Sequence, residues 1–125
     1  MTIEKEKVNI LVAEDEADLR EILKVTLEQE GYRAILASDG DEAIKKIEKK
    51  SFQLALIDIK MPGMNGKELV SKIKQINPRV PIIIITGSPN FKEEMSLKKQ
   101  TYDYIYKPFR LNELVKIIKR ALRET

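Results

Sequence analysis

Leu54-Ala55-Leu56-Ile57 is an unbroken apolar run that ends on an acid, Asp58, and then drops into a loop punctuated by Pro62, Gly63 and Gly66. Apolarity at every position, rather than at alternate ones, reads as a strand buried on both faces, the condition of a strand inside a parallel sheet. The Pro/Gly loop marks where that strand stops. A carboxylate placed where burial is ending is costly unless something uses it. Asp58 is therefore the first candidate for chemistry.

The same grammar recurs along the chain. Val8 to Ala13 is a mostly aliphatic run stopped by Glu14-Asp15-Glu16, and Arg33 to Ala37 is a second strand. Pro81-Ile82-Ile83-Ile84-Ile85-Thr86 is the most apolar run, which predicts a central place in the sheet. Tyr102 to Tyr106 alternates as an edge strand with one wetter face would. Between the strands, apolar residues recur at helical spacing. Leu19, Ile22, Leu23, Thr26 and Leu27 mark a first helix, which Asp15 or Asp18 would cap and Gly31 would close. Ala43, Ile44 and Ile47 mark a second, and Leu69, Val70, Ile73 and Ile76 a third, stopped by Asn77-Pro78. A fourth, about Phe91 to Lys99, is short and charged, with Met95 and Leu97 as anchors. Leu111, Leu114, Val115, Ile118 and Leu122 carry a strong fifth, with Ile117 at the edge of its apolar face. Five strand–helix units with short connections predict right-handed crossovers, hence an α/β fold with a doubly wound, five-stranded parallel sheet.

At 125 residues, 42% hydrophobic and 34% charged, the chain has the size and composition of one soluble domain, with its core over about 8–122. No apolar run approaches the roughly 20 residues that span a bilayer, and Met1 to Lys7 is charged without an apolar signal core. A cytoplasmic location without membrane insertion is expected. The absence of cysteine excludes disulfides and thiolate metal sites, and the absence of histidine removes the usual general base. The net charge of +3 comes from lysines interleaved with glutamates, as in Lys45-Lys46-Ile47-Glu48-Lys49-Lys50. That pattern reads as solvated helix faces rather than a nucleic-acid stripe, so no direct nucleic-acid contact is expected.

Ligands of open parallel sheets bind beyond the carboxyl ends of the strands. Those ends carry Glu14 and Asp15, Asp58, Thr86, and Lys107. Three carboxylates at one spot repel each other, and a hard divalent cation relieves the repulsion. With oxygen ligands and neither His nor Cys, Mg²⁺ is the natural cofactor. Lys107 supplies a point charge and Thr86 a hydroxyl donor. Phosphoryl transfer runs on such positioning and charge neutralisation, and Asp58 is read as its covalent nucleophile.

Glu14-Asp15 after the first strand, Asp58 followed by Met61-Pro62 and Gly66, Thr86, and Lys107-Pro108-Phe109 stand in an order and spacing that resembles the receiver domains of two-component response regulators, CheY-like proteins. The resemblance covers about Val8 to Leu122. It implies a flavodoxin-like (βα)5 fold with strand order 2-1-3-4-5 and a cis Lys107-Pro108 bond. It implies that Asp58 is the phosphoacceptor, that Asp15, Asp58 and the backbone carbonyl of Lys60 ligate Mg²⁺, and that Glu14 acts through water. It further implies that Lys107 is the catalytic lysine and that Thr86 and Tyr104 form the switch. The phosphodonor would be a sensor histidine kinase or phosphotransfer protein. The partner downstream would be an effector protein or a second copy, held through the face of the fourth helix, fifth strand and fifth helix, whose Lys98, Lys99, Lys116, Lys119 and Arg120 favour an acidic surface. The chain would catalyse only its own phosphorylation and dephosphorylation.

The sequence departs from the family pattern in places. Glu14 replaces the commoner aspartate, Gly87 stands where alanine is frequent, and Lys99 to Asp103 lacks the usual Gly-Ala pair. Lys60 and Ser88 occupy positions that tune dephosphorylation in the family. A receiver cut from a larger transcriptional regulator or hybrid kinase is an alternative. An aspartyl-phosphate hydrolase is a weaker one, because such enzymes want a second acid two residues after the nucleophile, where Lys60 sits.

Overall fold

In the computed structural model, which describes residues 8–87 and 100–124, the aliphatic runs lie side by side. They form β1 (Asn9–Ala13), β2 (Arg33–Ala37), β3 (Leu54–Asp58), β4 (Ile82–Thr86) and β5 (Asp103–Tyr106). All neighbouring pairs are parallel and the order is β2-β1-β3-β4-β5. Every residue of β3 and β4 is buried, as continuous apolar runs require of inner strands. The segment expected as a helix over about Phe91 to Lys99, and Ser88 beside it, lie outside the described residues.

Four helices occur among the described residues: α1 (Ala17–Gln29), α2 (Gly40–Ile47), α3 (Gly66–Ile76) and α4 (Leu111–Glu124), the last of which is the fifth helix of the sequence reading. Alternate strand residues feed two separate cores. Leu11, Ala55, Ile57, Ile82 and Ile84 pack with Ala43 and Ile47 of α2 and Leu69, Val70 and Ile73 of α3. Ile10, Val12, Leu54, Leu56, Ile83, Ile85 and Ile105 pack with Leu23 and Leu27 of α1 and Leu114, Ile118 and Ala121 of α4. Each fully buried aliphatic side chain contributes about 1.5–3 kcal/mol.

Local signals set the helix ends. Gly31, at φ +89°, follows α1 in a left-handed conformation. Its N–H donates to Glu28 O while that of Tyr32 donates to Leu27 O, the paired bonds of a Schellman closure. Asp39 and Asn65 cap α2 and α3 by accepting from the N–H groups of Glu42 and Glu68. The start of α1 differs from expectation. The chain stays extended through Glu16 (φ −76°, ψ 113°), so neither Asp15 nor Asp18 caps, and Glu16 takes the cap position with no side-chain bond. Asp18 falls inside the first turn, where the helix dipole favours it.

Three residues expected on inner faces are exposed: Ile22, Ile76 and Leu111. The buried stripe of α1 runs through Leu23 and Leu27, which leaves Ile22 off to one side. Ile76 and Leu111 are terminal residues of their helices. Ile117 sits partly buried against the α1/α4 core.

Candidate functional site

The carboxyl ends of β1, β3 and β5 bring Glu14, Asp58 and Lys107 together. Asp58 is buried, and both of its carboxylate oxygens are held. Oδ1 accepts from the backbone N–H of Lys60 at 2.9 Å, and Oδ2 accepts from Lys107 Nζ at 3.1 Å. Lys107 also lies 3.3 Å from Glu14 Oε1 and 3.1 Å from Glu16 Oε1. Carboxylate oxygens of Glu14, Asp15 and Asp58 come within 4.8 Å of one another, and Asp15 is the exposed member. Of the five strand-end residues, four thus form one cluster. Thr86 closes β4 on the same edge, buried, with its carbonyl accepting from the Lys107 N–H at 2.8 Å.

The electrostatics follow from burial. Burial pushes the Glu14 carboxyl up to about 7; the N–H of Glu16, at 3.1 Å from Oε2, opposes this, the nearby Asp58 adds to it, and Lys107 offsets part. Burial alone would lower the Lys107 ammonium, but its hydrogen bonds to Asp58 and Glu16 outweigh that and raise it. Glu14 Oε1 is buried and makes no hydrogen bond, its approach to Lys107 being an ion pair without hydrogen-bond alignment. An orphaned buried carboxylate oxygen beside two further acids is a donor set suited to a hard cation such as Mg²⁺.

The loop after Asp58 is fixed by close packing. A Cβ on Gly66 would stand 2.6 Å from Ile59 Cα, so only glycine fits where α3 leaves the loop. The Gly66 N–H in turn donates to Ile59 O. At Gly87, by contrast, a Cβ would meet only Lys107 Cδ among the described residues, at 3.8 Å. The described residues therefore leave room there for alanine. The Lys107-Pro108 bond is cis, as the resemblance implies.

Tyr104 pairs with Ile84 across the last ladder and packs half-buried on the α2/α3 core. By the alternation of the strands it shares a sheet face with Thr86, whereas Glu14, Asp58 and Lys107 share the other.

Two site residues escape the sequence reading. Glu16 reaches Lys107 across 91 positions. The Arg20 guanidinium donates to Glu14 O at 2.8 Å and Asp15 O at 3.4 Å, holding the backbone of the acid pair. Both belong to the start of α1, where periodicity says which face is buried and nothing about side chains that turn back beyond the helix end.

A doubly wound sheet with buried acids and a lysine over its carboxyl edge defines a phosphoacceptor class of domain. The profile of the response regulator receiver domain matches residues 10–119, and the chain belongs to that family. It is 38% identical over 117 residues to the nitrogen assimilation regulatory protein NtrX of Azorhizobium caulinodans, covering 91% of this chain and 26% of that protein. It is 31% identical over 120 residues to the uncharacterized transcriptional regulatory protein YkoG of Bacillus subtilis, covering 95% of this chain and 53% of that one. Among solved structures, a CheY-like receiver domain protein of Methanospirillum hungatei superposes with a TM-score of 0.91 at 35% identity, over 95% of this chain and 96% of the other. The chain spans about half, or about a quarter, of these two regulatory relatives. Among the described residues, no helix is long and apolar enough to cross a membrane.

Proposed function

We propose that this receiver domain takes a phosphoryl group on Asp58 from a sensor histidine kinase or phosphotransfer protein, in a Mg²⁺-dependent reaction. One observation carries the reading: a buried aspartate held by a backbone N–H on one oxygen and a lysine on the other, inside a cluster of acids. Asp15 and Asp58 would ligate the cation directly, with the Lys60 carbonyl, and Glu14 through water. The cation supplies neutralisation of the acids and of the phosphoryl oxygens.

The chain's own residues supply the rest. The Lys60 N–H fixes the Asp58 carboxylate, leaving one oxygen to attack phosphorus as the bond to the donor's leaving group breaks. Lys107 gives up its bond to Oδ2 and follows a phosphoryl oxygen. Water attack on the acyl phosphate reverses the modification. A groove of about 420 Å³ beside Lys107, walled by Leu19, Ile22, Pro108, Phe109 and Leu111, gives a protein donor an apolar seat next to Asp58.

The signal would leave through Thr86 and Tyr104. Thr86 drawn toward a phosphoryl oxygen opens room on the sheet face it shares with Tyr104, which turns inward from its half-buried position. The surface of β5 and α4 then changes for an effector protein or a second copy. Lys119 is already paired with Glu30 at 2.6 Å and Arg120 with Asp103 at 3.4 Å. Among the described residues, Lys116 and Arg123, beside Ile117, therefore supply further positive charge to that surface. Lys98 and Lys99 lie outside the described residues. The chain's short span of its regulatory relatives favours a second reading, a receiver module within a larger regulator.

The test is direct. Acetyl phosphate with Mg²⁺ should add one phosphoryl mass to the parent protein and none to Asp58→Asn. Labelling of the variant at the parent's stoichiometry refutes the assignment.

A further inference from the structure

Lys107 Nζ stands as close to Glu16 Oε1 as to Asp58 Oδ2, 3.1 Å in each case, and 3.3 Å from Glu14 Oε1. An ammonium has three donors, and three carboxylates surround this one. Two of those side chains belong to the buried cluster, 0% and 5% exposed; that of Glu16 is 63% exposed and stands on the solvent side. The Glu16 side chain makes no capping bond to α1, whose cap position it occupies. Its backbone is anchored separately, through its N–H to Glu14 Oε2. Glu16 also lines the groove that leads to Lys107.

We propose that Glu16 is a positioning residue for the reaction at Asp58: its carboxylate draws the Lys107 ammonium outward and offsets its charge, which slows capture of phosphoryl groups from small anionic donors. The inference rests on the reading of Asp58 as phosphoacceptor. A phosphoryl oxygen arriving at Asp58 must displace a carboxylate from Lys107. Asp58 Oδ2 yields the ammonium to that oxygen, and the exposed Glu16 pair, the weakest of the three, must loosen as well. An anionic donor also meets the Glu16 charge at the groove's rim. Both effects act in the same direction, and both disappear in Glu16→Gln, which keeps the side chain's size.

The experiment measures beryllofluoride affinity with Mg²⁺ in the parent, Glu16→Gln, Lys107→Met and the double variant, each checked for cooperative melting. Glu16→Gln should bind roughly fivefold more tightly at low salt, the size of one exposed charge interaction, and the gain should shrink at high salt. In the Lys107→Met background most of the gain should be lost, leaving only the smaller rim-charge part, since the main effect runs through the ammonium. An unchanged affinity in Glu16→Gln overturns the proposal. An equal gain with and without Lys107 overturns it too, because rim charge alone would then suffice. If Asp58→Asn abolishes acetyl phosphate labelling while Glu16→Gln changes nothing, the phosphoacceptor stands and only this role falls. If Asp58→Asn still labels, both fall.

Discussion

At the amino-terminal end of the sheet, Asn9 and its neighbours close the strand openings with neutral groups. The Asn9 N–H donates to Gln53 Oε1, its Nδ2 to Ser51 O, and the Gln53 N–H to Asn9 O. At the carboxyl-terminal end β1 and β3 lead into Glu14 and Asp58, which Lys107 joins from the end of β5. Among the described residues, each end leaves one buried side-chain oxygen without a hydrogen bond, Asn9 Oδ1 and Glu14 Oε1. The chemistry makes these unequal. An orphaned amide oxygen costs about 1–3 kcal/mol, and a carboxylate costs more, because burial opposes its charge as well. One end is closed for stability; the other is held in a state that a ligand improves.

The contrast can be broken most sharply at Asp58. Asp58→Asn should abolish labelling by acetyl phosphate, whereas Asn9→Ala should leave its extent unchanged and lower stability by about 1 kcal/mol. A loss of labelling in Asn9→Ala in protein that is still folded would mean the two ends are not separable. Next in size is the cation. Asp15→Asn should weaken Mg²⁺ affinity by about tenfold or more and Glu14→Gln by much less, as a direct ligand differs from one acting through water. Titration calorimetry showing equal losses would remove that distinction. Without Mg²⁺, Asp15→Asn should melt higher than the parent, because repulsion is relieved.

A pH series sharpens the comparison further. The unfolded Glu14 carboxyl loses its proton near 4.5 and the folded one near 7. Between those values the unfolded state binds fewer protons, so this group makes stability fall as pH rises from about 4.5 to 7 and holds the penalty constant above. The raised Lys107 ammonium keeps its contribution throughout that window and loses it only under strongly alkaline conditions. Glu14→Gln should flatten the metal-free profile, and Asn9→Ala should not. A parallel slope in both variants would place the titration elsewhere. The smallest effect concerns the output. Beryllofluoride should shift amide signals in Tyr104 and along α4, and Thr86→Ala should mute the distant shifts while sparing those near Asp58. Shifts confined to the Asp58 loop in the parent would end the switch reading.

The architecture was legible where punctuation is strong. Arg33–Ala37 and Leu54–Asp58 fall where the sequence places them, because Gly31, Asp39 and the Pro/Gly loop bound them. Glu14, Asp58 and Lys107 were legible for a related reason: a residue at or just past a strand's end has a fixed location on the sheet edge. Ile22, Ile76 and Leu111 were misread because helical spacing marks a stripe without saying how far the neighbouring elements cover it. Glu16 and Arg20 were invisible as partners, since their reach depends on the direction in which α1 leaves the sheet.

The contacts that close the site join residues far apart along the chain: 49 positions from Asp58 to Lys107 and 91 from Glu16 to Lys107. Loop-closure entropy makes such contacts late ones in folding. During synthesis, a chain that has emerged only through β4 carries Glu14, Asp15, Glu16 and Asp58 but lacks Lys107, which arrives just after the last strand. On the role proposed for Asp58 and Lys107, an unfinished domain is thereby a poor target for a phosphodonor, and competence to receive a signal comes with completion of the fold.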